Sequence, residues 1–161
     1  MDIKVFVTIG TQLPFPRLID AVEVWAQSKD SVSVIAQSAA ANRHCHNMEI
    51  VDFLTPQRYA ELAQWADVIV GHAGMGTIIT GFEYTKPLIL MPRLYSRQEH
   101  RNDHQLATAS KFSNISGISI VSNEQELIQE LNNAHCLKSF SAHDSKTRAG
   151  LLTNIKEIIW N

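Results

Sequence analysis

The sequence predicts an α/β protein with a Rossmann-like, doubly wound, mostly parallel sheet. Three observations carry this. Short apolar runs rich in β-branched residues alternate along the chain with segments of helical periodicity. Parallel neighbours need crossover helices, so such alternation favours a parallel sheet covered on both faces. Finally, Val68-Ile69-Val70 stops at glycine and passes into His72-Ala73-Gly74-Met75-Gly76-Thr77, a small-residue turn that opens a helix.

Ile3 to Ile9 reads as a first strand buried on both faces, ended by Gly10-Thr11-Gln12. Pro14 and Pro16 delay the next helix, which runs to about Ser28 with Leu18, Ile19, Val22 and Trp25 on its apolar face. Val32 to Ile35 is a second strand, 37–47 an irregular loop, and Glu49 to Leu54 a third strand. Thr55-Pro56 supplies an N-cap and a first-position proline for a helix whose core face is Tyr59, Leu62, Ala63 and Ala66. Asp67 to Val70 is the fourth strand, with a helix from Gly76 to Tyr84. Leu88 to Met91 is the fifth, between Pro87 and Pro92, then a polar loop over 93–100 and a helix from His100 to Phe112. Ile118 to Val121 is a sixth strand, and Asn123 caps a helix to about Asn132. After a loop over 133–145, Lys146 to Trp160 is a last helix, with Leu151, Leu152, Ile155 and Ile159 on one side.

The 161 residues suit a single domain spanning 1–161, with neither repeat nor linker. A net charge of −2 gives no general basis for binding nucleic acid or an anionic membrane. Cys45 and Cys136 are too far apart for a CxxC pair, which suggests a reducing compartment. The N-terminus lacks the pattern of a signal peptide, and no stretch approaches the ~18 apolar residues of a membrane span. The expectation is a cytoplasmic protein, attached to a membrane only through a partner.

In such a sheet the segments after strands, around Gly10, Phe53-Leu54, His72–Thr77 and Pro92–His100, gather on one edge. The helix start at Gly74–Thr77 is the anion site among them. Its first N–H groups have no internal partner, the macrodipole favours negative charge, and glycine permits close approach. Gly74-x-Gly76 is neither the dinucleotide fingerprint, since position 79 is Ile, nor a Walker A loop.

The wider pattern is more specific. His72-x-Gly74-x-x-Thr77, Lys86-Pro87, Met91-Pro92 and Asp103-His104-Gln105 together resemble the donor-binding half of GT-B glycosyltransferases. The resemblance is to the C-terminal domain of glycosyltransferase family 28, and Val5 to Thr11 fits the opening of its small soluble subunits. These belong to two-part transferases of capsule, exopolysaccharide and dolichol-linked oligosaccharide synthesis. The resemblance covers nearly the whole chain and is strongest over 68–109.

It implies a UDP-sugar donor site. Gly10 and Thr11 would lie beside the diphosphate. Phe53 and Leu54 would pack the uracil and bond it through backbone groups. His72, Ala73, Gly74, Met75, Gly76 and Thr77 would hold the phosphates, with His72 helping to stabilise the leaving group. Asp103 and Gln105 would face the sugar or nucleotide, and the loop carrying Arg93, Arg97 and Glu99 would border the pocket. Relatives usually have Glu for the ribose hydroxyls where this chain has Thr80. Glu83, one turn along, is either its substitute or a solvated helix carboxylate. Gln37-Ser38-Ala39 lacks the Gly of the family's Gln-x-Gly.

Two clusters suggest metal but fit it poorly. His100 and His104 have helical ligand spacing, but Arg101 stands where HEXXH needs Glu, and His44-Cys45-His46 lacks a fourth ligand. Trp25 and Trp65 suit the core or its edge better than sugar stacking. The expected activity is inverting hexosyl or N-acetylhexosaminyl transfer from a UDP-sugar to a lipid-linked saccharide, without an essential metal. One GT-B half lacks the acceptor site and general base, so a membrane-associated, acceptor-binding partner is expected, with the C-terminal helix as a docking element or packed on its own sheet. Self-association stays open. The alternatives are a non-catalytic stabilising subunit of a transferase, which Thr80 favours, and half of an epimerase-like nucleotide binder, which Asp103-His104-Gln105 disfavours.

Overall fold

The computed structural model describes residues 2–11, 13–38, 47–140 and 153. Among them six strands form one sheet: β1 (Ile3–Thr8), β2 (Val32–Gln37), β3 (Glu49–Val51), β4 (Val68–His72), β5 (Leu88–Met91) and β6 (Ile118–Ile120). The order is β3-β2-β1-β4-β5-β6, and every neighbouring pair is parallel. Helices α1 (Pro16–Gln27), α2 (Pro56–Trp65), α3 (Met75–Glu83), α4 (His104–Phe112) and α5 (Glu124–Asn132) alternate with the strands.

The apolar runs divide by alternate residues between two cores. Val5, Val7, Val68, Val70, Ile89 and Met91 pack with α1 and α5 through Leu18, Val22, Trp25, Leu127 and Leu131. Phe6, Ile69, Leu88 and Leu90 pack on the other face with α2, α3 and α4 through Leu62, Ala63, Ile78, Ala109 and Phe112. The central strands therefore carry no polar face, as a sheet covered on both sides requires. Two caps hold as the sequence implies. Thr55 accepts a bond from the Arg58 N–H at 3.2 Å, and Asn123 accepts one from Glu126 N–H at 2.9 Å.

Several boundaries differ from expectation. β2 runs on to Gln37, and β3 stops at Val51, three residues early. β4 continues through Gly71 to His72, because Gly71 pairs with Thr8 and Leu90. A Cβ there would stand 2.7 Å from the Thr8 carbonyl oxygen, so only glycine keeps the strands this close. α4 begins at His104, not His100. The polar groups before it are engaged in local bonds: His100 Nδ1 with Asn102, and Asp103 Oδ1 with the Tyr95 N–H. The Gln12 reading, most of the 37–47 loop with Ala39, the His44-Cys45-His46 cluster and all of the last helix but residue 153 fall outside the described residues.

Candidate functional site

β1 and β4 are adjacent at the middle of the sheet, but their chains leave to opposite faces, β1 into α1 and β4 into α3. This topological switch point opens a crevice at the strands' C-terminal ends. A cleft of about 570 Å³ lies there. Its lining comes from Thr8 to Thr11 after β1, Gln37, the β3–α2 segment, the β4–α3 turn, and the loop after β5.

The β4–α3 turn forms one wall. Gly74 is the N-cap of α3 and offers no side-chain bond to the helix, so the first N–H groups remain open to a ligand. A Cβ on Gly76 would meet nothing within 4 Å. Gly74 and Gly10 both lie against the His72 ring. A Cβ on Gly74 would collide with His72 Nε2, and one on Gly10 would sit 3.2 Å from Cε1. Gly10 also has φ +76°, a left-handed conformation that suits glycine.

His72 is thus clamped between two glycines. Its Nδ1 is buried and has no hydrogen-bond partner, unlike every other buried side-chain nitrogen and oxygen of the described residues. Burial, then the positive charge of Arg93, lower its pKa from 6.5 to about 4, partly opposed by the Thr8 carbonyl. The imidazole is therefore neutral at pH 7. It can offer a hydrogen bond without bringing a charge into the site.

At the other end, Leu54, Pro56, Tyr59, Thr80, Glu83 and Tyr84 line the cleft. Thr80 is buried, and its hydroxyl donates to the Gly76 carbonyl at 2.8 Å and lies 3.4 Å from the Tyr59 hydroxyl. Among the described residues Glu83 is the one carboxylate in the lining, and it is exposed.

The loop after β5 is built differently. Arg93 is buried, and its guanidinium donates to the carbonyls of Ile9, Leu13, Pro14 and Glu99 at 2.6–3.3 Å, with Phe15 stacked 4.6 Å away. Its own N–H donates to Gln105 Oε1 at 3.0 Å. Glu99 forms a two-bond pair with buried Arg17 at 2.7 and 2.9 Å and accepts from the Leu94 N–H at 2.9 Å. Asp103 caps α4 without a side-chain bond to it and holds the Tyr95 N–H instead.

Of the sequence-derived candidates, Gly10, Thr11, Leu54, His72, Gly76, Thr77, Thr80, Glu83, Arg93 and Gln105 share this one cleft. Phe53, Ala73, Gly74, Met75, Glu99 and Asp103 do not line it, and Phe53 is 75% exposed. Sequence reasoning left out Thr8, Gln37, Tyr59 and His100, which do. Tyr59 carried a signal. It lies in the first turn of the helix after β3, and that turn starts at the same sheet edge. Gln37 is held by the Thr8 hydroxyl at 3.1 Å. Among the described residues no group of three or more His, Cys, Asp and Glu could hold a metal, and no helix is long and apolar enough to cross a membrane.

Residues 5–150 match the Glycosyltransferase family 28 C-terminal domain. No curated protein sequence matches the chain. Among solved structures, the glycotransferase of kitacinnamycin aligns with 98% of this chain at 19% identity and TM-score 0.63; the chain spans 40% of that structure's length. ALG13 aligns at 19% identity and TM-score 0.62, over 94% of this chain and 95% of its own. MurG of Acinetobacter baumannii aligns with 85% of this chain at 17% identity and TM-score 0.61, over 43% of MurG. At these identities the structures share the fold.

Proposed function

This chain belongs to the glycosyltransferase family 28 C-terminal domain family, and we propose that it is the donor-binding half of a GT-B glycosyltransferase. The donor is a UDP-sugar. Its diphosphate lies on the N-terminus of α3 at Gly74–Thr77, with Gly10 and Thr11 opposite and the nucleoside toward Leu54, Tyr59 and Glu83. The observation that carries this is the open helix N-terminus, with the neutral His72 ring against its Gly74 cap, at the sheet's switch point.

The chemistry follows from those groups. An acceptor hydroxyl attacks the anomeric carbon, the bond from that carbon to the diphosphate oxygen breaks, and UDP leaves with the electron pair. Oriented N–H groups and the helix dipole stabilise the charge growing on the diphosphate. His72 adds one hydrogen bond. None of this requires a bound metal. No cleft residue is placed as the base that takes the acceptor's proton, so that group belongs to an acceptor-binding partner at the cytoplasmic face of a membrane. Three of the six exposed large apolar residues among those described, Phe53, Ile79 and Leu106, support a partner seated across the cleft. Each lies after a strand's C-terminal end or in the first two turns of the next helix. The acceptor is a lipid-linked saccharide.

Calorimetric titration with UDP tests the site. Wild type should bind. Gly74→Val should weaken binding by roughly a hundredfold, because its branched side chain displaces His72 and covers the helix N-terminus. No UDP binding, alone or with the partner, would sink the proposal. UDP binding without sugar transfer in the reconstituted complex would instead favour a non-catalytic subunit.

A further inference from the structure

The cleft does not end at His100. A second groove of about 550 Å³ adjoins it, lined by Leu13, Tyr95, Ser96, Gln98, His100 and Arg101, and Leu13 and His100 line both. Among the described residues the groove lining contains no carboxylate. The two carboxylates of the same loop are engaged elsewhere, Glu99 with Arg17 and the Leu94 N–H, and Asp103 with the Tyr95 N–H. Arg101 has no hydrogen-bond or ion-pair partner among the described residues.

The groove is also firmly built. Besides those bonds, the Gln98 N–H donates to the Tyr95 carbonyl at 2.9 Å, and His100 Nδ1 is tied to Asn102 at 3.0 Å. Gln98 has φ 56°, left-handed backbone rare outside glycine. A loop this constrained that still exposes an aromatic ring, 61% for Tyr95, beside an uncommitted guanidinium is organised to meet something outside itself.

Position suggests what. If the nucleoside lies at the Glu83 end and the diphosphate at Gly74–Thr77, the group on the distal phosphate leaves past His100 into this groove. Resting on the donor-site reading above, we propose that the groove receives the sugar and that Arg101 selects one bearing an acidic group, a hexuronate. The guanidinium fork matches a carboxylate in two bonds. Tyr95 and Leu13 offer apolar contact to the C–H face of the pyranose.

The test is titration of the full chain with UDP, UDP-glucose and UDP-glucuronate. UDP-glucuronate should bind about tenfold tighter than UDP-glucose, a preference that shrinks as salt is raised. Arg101→Gln should erase the preference and leave UDP affinity unchanged, while Arg101→Lys should keep part of it. Arg101 is exposed, so both variants should fold, which thermal unfolding checks. Equal affinities in wild type overturn the inference, as does a preference that survives Arg101→Gln. So does an Arg101→Gln loss shared equally by all three ligands, which would mean a phosphate contact, or one seen only in partner binding, which would mean a protein contact. In all of these UDP still binds and the donor-site reading stands. Absence of UDP binding removes both.

Discussion

The turn after β4 and the loop after β5 leave adjacent strands at the same sheet edge, yet they treat their polar groups in opposite ways. The β4 turn leaves them open. Gly74 gives α3 no side-chain cap, and the His72 ring lies against that cap. The β5 loop uses most of its own. Arg93 holds four carbonyls, Glu99 holds Arg17 and Leu94, and Asp103 holds Tyr95. The first N–H groups of an uncapped helix have no partner within the protein, so they are where a ligand completes the structure. Charged residues in a motif are not by that fact ligand contacts. Here most of them form the frame against which the open turn is positioned.

The sharpest way to break this contrast is Glu99→Ala. It leaves Arg17 buried without its carboxylate and removes the acceptor of the Leu94 N–H. Breaking such a pair from one side costs about 3–5 kcal/mol. Melting should fall by roughly 10 °C in a domain of this size. Glu99→Gln, which keeps one acceptor oxygen, should lose less. If Glu99→Ala unfolds as wild type does but loses UDP affinity, the loop is a contact surface and the contrast fails.

On the β4 side the comparable lever is pH. His72 has its folded pKa lowered to about 4 by burial and by Arg93, against 6.5 when unfolded. The unfolded chain therefore takes up more protons between those values. The stability His72 contributes is fully present above pH 6.5 and is lost as pH falls toward 4, by on the order of 3 kcal/mol. Urea unfolding across pH 4–7, compared between wild type and His72→Gln, isolates this slope. Equal slopes would show that His72 is not held neutral by its surroundings.

Legibility followed the same division. The parallel sheet was readable because the apolar runs of β1, β4 and β5 have no other use than a strand buried on both faces; the strand order that sets the switch point was not. The glycines were readable because position 74 sits between a strand and a helix start. The destinations of Arg93 and Glu99 were not. Their partners, Ile9, Leu13 and Arg17, come from a segment some eighty residues earlier in the chain, and only tertiary structure brings them together. The late start of α4 was missed for a local reason. Local side-chain bonds at Asn102 and Asp103 compete with helix formation, and periodicity does not register them.

The nucleoside end tests the contrast most finely, because Thr80 and Glu83 lie one turn apart in the same cleft and treat their polar atoms differently. Thr80 gives its hydroxyl to the Gly76 carbonyl, while the Glu83 carboxylate is exposed. Thr80→Ala should cost about 1 kcal/mol of stability at most and leave UDP affinity within about twofold. Glu83→Gln should leave stability alone and weaken UDP by roughly three- to tenfold, since it removes a charged acceptor from the ribose hydroxyls. The loss should be smaller for 2′-deoxy-UDP, which offers one hydroxyl fewer. If Glu83→Gln changes neither ligand, Glu83 is a solvated helix carboxylate, and the ribose is held by the backbone or by the partner.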